Sequence, residues 1–255
     1  MDTTRWTHKR CLAALLAAVP LVAACGSGHG TDTGLRAAGA QPMASRGTQL
    51  VITTDNGVRL RPADDDRVTA DRHIRSRWTH QGDTWVLRLS CPAHTDGDGE
   101  CPRMPEVDVP AGSSVSVSVS ARNAGIEVAG VSATLDLASV NGDVTVTRSG
   151  ERDGTVRLAT RNGSVRAESL RAARLYAETV NGDVVLGCAG SPRDVSASTT
   201  NGSVRVTVPH DAPAYRVSAT TGNGRPTVSV PTADPAEDRG MTLSTVNGDV
   251  TARHE

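Results

Sequence analysis

Phenylalanine is absent from the 255 residues, and lysine occurs once, at Lys9. Tryptophan and tyrosine are almost as scarce: beyond Trp6 there are only Trp78, Trp85, Tyr176 and Tyr215. A core without large aromatics has to be thin and built from Val, Leu, Ala and Thr. Valine and threonine are abundant, which favours strands. With one lysine, nearly all basic side chains are arginine, which reads as compositional bias rather than a device. The formal charge is −1 with no basic stripe along the chain, so nucleic acid is not expected as a partner. No apolar run approaches the ~20 residues of a spanning helix. There is no Gly-x-Ser-x-Gly elbow, no phosphate loop and no Cys-x-x-Cys pair. These absences leave no catalytic constellation, and neither a cofactor nor a metal is expected.

What is present begins with an export signal. Arg5, Lys9 and Arg10 form a positive start, and Leu12 to Ala24 is an apolar run broken by Pro20. The run ends in Leu21-Val22-Ala23-Ala24-Cys25. Small residues before a cysteine resemble the lipobox cut by lipoprotein signal peptidase, which implies cleavage after residue 24 and lipidation of Cys25. Membrane lipid held through Cys25 is then the first expected partner, and the expected location is the extracytoplasmic face of the cell membrane. Residues 25–47 start at the lipidated cysteine, are rich in Gly, Ser, Thr and Ala, and read as a flexible tether. Without residues 1–24 the chain has 24 basic and 27 acidic side chains, a net charge of −3.

Of the remaining cysteines, Cys11 falls in the signal. Cys91 and Cys101 sit ten apart and are expected to close a loop as a disulfide outside the cytoplasm. Cys188 is left over and reads as a small buried hydrophobe. The loop holding His94, Asp96, Asp98 and Glu100 lacks the ligand run of a calcium loop and reads as solvated. Asp64-Asp65-Asp66 reads as a solvated turn. His73 and His80 are the only mature histidines close in sequence, and seven apart on strands they face opposite ways.

The strongest pattern is a repeat. Asn-Gly recurs at Asn141-Gly142, Asn162-Gly163, Asn181-Gly182, Asn201-Gly202, Asn223-Gly224 and Asn247-Gly248, with gaps of 21, 19, 20, 22 and 24 residues. Asn123-Ala124-Gly125 is an imperfect copy, and Asn56-Gly57 an isolated one. Alternating apolar residues flank each turn, as in Leu135, Leu137, Val144 and Val146, which marks two half-buried strands per unit. Two architectures fit. Each Asn-Gly is the turn of a β-hairpin, with a workable register, or each unit of about 20 residues is one coil of a parallel β-solenoid, with Asn-Gly at a corner and equivalent residues stacked about 4.8 Å apart. Near-constant unit length and reuse of small interior residues favour the solenoid. The asparagines would then form a hydrogen-bonded ladder. Stacking also places Asp143 diagonal to Arg166, Arg166 to Asp183, and Asp183 to Arg205, keeping carboxylates off adjacent rungs.

Residues 48–255 resemble the putative-adhesin β-solenoid domains of unknown function found in bacterial envelope proteins and lipoproteins. The resemblance rests on Thr-Val-Asn-Gly-Asp-Val at 179–184 and 245–250, on Thr-Thr-Asn-Gly-Ser-Val at 199–204, on Val109-Pro110-Ala111-Gly112, and on the segment Trp78…Trp85…Cys91…Cys101. It implies an all-β solenoid and an envelope location, with no activity or site residues attached. Residues 48–110 are expected as an N-terminal β segment that caps the stack, and 111–255 as the repeats. The expected function is a non-catalytic binding or adhesin-like module facing a cell-wall polymer or an envelope protein. An envelope-sensing regulatory lipoprotein with a membrane-protein partner is the alternative. A polysaccharide-degrading β-helix enzyme has little behind it: Asp143 and Asp183 would lie roughly 9.5 Å apart in any such stack, and no aromatic platform accompanies them.

Overall fold

The computed structural model describes residues 41–42, 48–91, 101–110, 116–233 and 238–255. All belong to one compact unit, Ala37–Glu255. Strands are the only regular elements among them, and no helix there is long and apolar enough to cross a membrane.

The strands form two sheets of 11 and 10 strands, and the core lies between them. Each coil sends one strand to each sheet. In chain order, coil 1 is Gln49–Thr54 with Val58–Ala63, coil 2 Thr84–Ser90 with Glu106–Pro110, and coil 3 Ser116–Ala121 with Ile126–Ala129. Coil 4 is Thr134–Ser139 with Val144–Thr147, coil 5 Thr155–Ala159 with Val165–Leu170, and coil 6 Arg174–Glu178 with Val184–Cys188. Coil 7 is Asp194–Asn201 with Val204–Val208, coil 8 Arg216–Asn223 with Pro226–Val228, and coil 9 Gly240–Asn247 with Val250–His254. Neighbouring coils pair in parallel, Leu135 beside Val156 and Val144 beside Val165. The two strands flanking each Asn-Gly therefore lie in different sheets, which excludes the hairpin and establishes the solenoid.

The inner positions are those marked by the alternation. Leu135, Leu137, Val144, Val146, Val156, Leu158, Val184 and Leu186 are all 0–1% exposed. Each rung adds a layer of aliphatic side chains, and burying each one contributes on the order of 1.5–3 kcal/mol. Coil 8 is the exception. Its Val217 and Ala219 are half-buried, and Val228 is 40% exposed, because no further coil covers them.

The stacking order departs from the chain order at both ends. In both sheets the coils run 2-1-3-4-5-6-7-9-8. Coil 1 sits between coils 2 and 3, and coil 9 between coils 7 and 8. The first and last coils of the chain are thus second from the ends of the stack.

Residues 48–110 do two things. They supply coils 1 and 2, and they supply the antiparallel strands that close the stack beyond coil 2. Arg75–Gln81 pairs with Thr84–Ser90 and Arg67–Ala70 with Glu106–Pro110, and Gln41–Pro42, from ahead of this segment, pairs with Arg67–Ala70. Trp78 and Trp85 pack against this end of the core, edge to face at 6.2 Å, and His80 lies over Trp85 at 4.1 Å. Antiparallel end strands interrupt the parallel edge that would otherwise template another chain.

Candidate functional site along the Asn-Gly edge

The corners of successive coils line up into one long edge, and three ladders of hydrogen bonds run along it. In the first, each asparagine amide donates to the carbonyl of the asparagine one rung away. Asn162 donates to Asn141, Asn181 to Asn162, Asn201 to Asn181, Asn247 to Asn201 and Asn223 to Asn247, all at 2.8–2.9 Å. All five bonds point the same way, so they polarise one another.

The second ladder lies just inside the first. Five hydroxyls, each two residues before an asparagine, donate to a glycine carbonyl of the neighbouring coil at 2.8 Å, Thr160 to Gly142, Thr179 to Gly163, Thr199 to Gly182, Thr245 to Gly202 and Thr221 to Gly248, and Ser139 donates to the Ala124 carbonyl at 3.0 Å. This explains Thr at an inward, largely buried position, where a valine would leave that carbonyl short of a donor.

The third ladder is formed two residues after each asparagine. Asp143 accepts the Ser164 N–H at 2.7 Å, Ser164 the Asp183 N–H at 3.3 Å, Asp183 the Ser203 N–H at 2.8 Å, Ser203 the Asp249 N–H at 3.2 Å, and Asp249 the Arg225 N–H at 2.9 Å. In stacking order the residues read Asp, Ser, Asp, Ser, Asp, Arg. The alternation is unbroken because coil 9, not coil 8, sits against coil 7. No two carboxylates share adjacent rungs.

Glycine follows asparagine for a steric reason. The corner glycines have φ of 144–159°, and a Cβ at Gly182 would lie 2.1 Å from the Gly163 carbonyl oxygen.

The outermost atoms of the edge alternate as well. The residue before asparagine is Val140, Arg161, Val180, Thr200 and Val246 in stacking order. The three valines are 41%, 43% and 50% exposed, spaced every second rung, about 9.6 Å apart. Of the three expected diagonals, Asp143–Arg166 closes as an ion pair at 3.0 Å. Among the described residues no ion pair joins Asp183 to Arg166 or to Arg205, although Asp183 Oδ1 holds the Ser203 N–H just as Asp143 Oδ1 holds that of Ser164. Near coil 4 a shallow depression of about 470 Å³ opens beside Met104, Glu127, Asp143 and Thr145.

Cys91 and Cys101 are joined, with sulfurs 2.05 Å apart. The disulfide occupies the corner of coil 2, where other coils carry Asn-Gly, and Asn56 Nδ2 of coil 1 lies 3.0 Å from Cys91 Sγ. Cys188 is buried at 2% exposure. Burial, with a smaller push from Glu255, raises its thiol to about 12, so no thiolate forms at neutral pH. His73 bonds Asp71, away from His80. The stack brings His210 and His254 together at 5.5 Å, a pair too far apart along the chain to be seen in the sequence. Asp65 accepts the Arg67 N–H in an exposed turn. Cys25, the segment from His94 to Glu100 and Ala111-Gly112 lie outside the described residues.

Residues 107–253 match the family model described as Toastrack DUF4097. The match covers more than half of the chain, and the protein belongs to this family, a domain class of unknown function. The crystal structure of a putative cell adhesion protein from Clostridium sporogenes is similar to the chain, with 8% identity and a TM-score of 0.38, over 84% of this chain and 96% of that one. No curated protein matches it.

Proposed function

We propose that this protein is a lipid-anchored, non-catalytic module of the cell envelope, held at the outer face of the membrane through Cys25 and using its solenoid as a rigid binding or adhesin-like surface. The observation that carries the reading is the edge itself. Its Asn, Thr, Ser and Asp side chains are spent on ladders that join coil to coil, and Asp143 and Asp183 each hold a backbone N–H. Carboxylates fixed in that way stiffen a scaffold. The family match supports a solenoid module. The lipobox-like Leu21–Cys25 and the Gly/Ser-rich stretch after it support tethering. A rigid array of equivalent positions suits a repeating partner such as a wall polymer, since every second rung offers the same contact again.

Two experiments test this. Cys25→Ala is expected to move the protein from the membrane to the soluble fraction; a variant that still needs detergent counts against lipidation. The intact protein, immobilised, is expected to retain purified wall polymer saturably. Enrichment of a single membrane protein would favour the sensor reading, and release of soluble sugars would overturn the non-catalytic one.

A further inference from the structure

We propose that the depression beside the N-terminal cap is a binding site for a linear polyanion, one carrying phosphate or carboxylate groups along its length. The inference rests on the reading of the solenoid as a binding module and names the chemistry it would bind.

The depression measures about 760 Å³, and Arg75, Arg77, Arg88 and Arg122 line it with Thr53 and Ser120. It forms on the outer face of the 10-stranded sheet. Arg77 and Arg88 stand directly opposite each other across the antiparallel pair Arg75–Gln81 and Thr84–Ser90. Like charges in that position are destabilising. Arg75, two residues before Arg77, shares its face about 7 Å away. Thr53 flanks Arg88 on its other side, and Ser120 flanks Thr53. The row Arg77, Arg88, Thr53, Ser120 thus crosses four strands at about 4.8 Å per step.

Elsewhere the protein neutralises arginines that lie close together. Arg59 and Arg61 share Glu127 at 3.0 and 3.2 Å, and Arg166 has Asp143. Here the one acid in the lining, Asp55, faces Arg122 at 3.7 Å. The side chains of Arg75, Arg77 and Arg88 make neither an ion pair nor a hydrogen bond among the described residues.

Three unpaired guanidiniums held on paired strands are planar forks matched to phosphate or carboxylate oxygens, and neighbouring hydroxyls add donors. Arg77 and Arg88 face each other about 5 Å apart across the strands and Arg75 lies about 7 Å further along, a spacing matched by a ligand that carries several charges in a row. A concave lining suits a chain laid across it better than a flat bilayer.

The test is titration of the intact protein, in non-ionic detergent, with inorganic polyphosphate and with polygalacturonate at low salt. Binding is expected to weaken as salt rises, by release of counterions. The double variant Arg77→Gln/Arg88→Gln is expected to bind at least about tenfold more weakly, the loss typical of removing charge-assisted bonds. Its Tm is expected to be unchanged or higher, because the opposed charges are gone. Arg152→Gln/Arg171→Gln removes the same charge elsewhere and is expected to change binding less than about twofold. Two outcomes overturn the proposal: no polymer binding by the parent, or equal loss in both double variants. Neither bears on membrane attachment through Cys25, which fractionation reads separately.

Discussion

Gly182 shows at the smallest scale why the repeat is so strict. Its φ of 150° is one that side chains rarely adopt, and the Gly163 carbonyl fills the space where a Cβ would go. Gly182→Ala is expected to cost about 1–3 kcal/mol from backbone strain alone, lowering Tm by several degrees in thermal denaturation. Gly190 has open space around it, so Gly190→Ala is expected to leave Tm within about a degree. Equal effects at the two sites would mean that the corner tolerates a side chain. The same local economy explains Thr179 and its equivalents, whose hydroxyls are buried yet bonded. Cys188 is the residue whose sequence reading and environment agree most directly: it is small, buried and protonated.

Coils come in two alternating kinds. Coils 4, 6 and 9 carry Val-Asn-Gly-Asp at 140–143, 180–183 and 246–249, while coils 5 and 7 carry Asn-Gly-Ser-Val-Arg at 162–166 and 201–205. Each kind stacks on the other, and the reason is electrostatic. A Ser203→Asp change would put Asp183, the new carboxylate and Asp249 on three consecutive rungs. The expected loss is roughly 0.5–2 kcal/mol at low salt, summing two like-charge neighbours. It should shrink in 1 M NaCl, and Ser203→Asn should show no such salt dependence; matching salt responses would refute the repulsion. Strand positions, inner faces and corners were legible in the sequence because each follows from short-range alternation and from Asn-Gly. The stacking order was not read from it, although the signal was there: the Asp of coil 9 belongs beside Ser203, whereas the Arg225 of coil 8 breaks the alternation. The arginine depression was not legible at all. Its lining comes from residues 53 to 140, and only the insertion of coil 1 beside coil 3 brings Thr53 next to Ser120.

Across the whole stack, the exchanged order at each end couples coils that are not adjacent in the chain. Coil 8 rests on coil 9 alone, through the pairs from Arg216–Gly240 to Asn223–Asn247. Deleting residues 238–255 therefore removes one coil and strips another of its support. Hydrogen exchange is expected to show residues 216–228 unprotected in the truncated protein and those of coils 4 and 5 unchanged; retained protection at 216–228 would show that coil 8 can dock on coil 7. Assembly cannot simply proceed from one end to the other, since coil 9 must enter between two coils made earlier, and such long-range closure slows folding. The position of coil 1 also decides how the molecule answers to force. Once the short edge pairing of Gln41–Pro42 with Arg67–Ala70 has given way, a pull from the N-terminal side enters Gln49–Thr54 along its length, and that strand is bonded on one side to Thr84–Ser90 and on the other to Ser116–Ala121. Such a load has to shear two ladders together, where an outermost coil would offer only one, so the inner place of coil 1 is the arrangement that resists tension at this end of the chain.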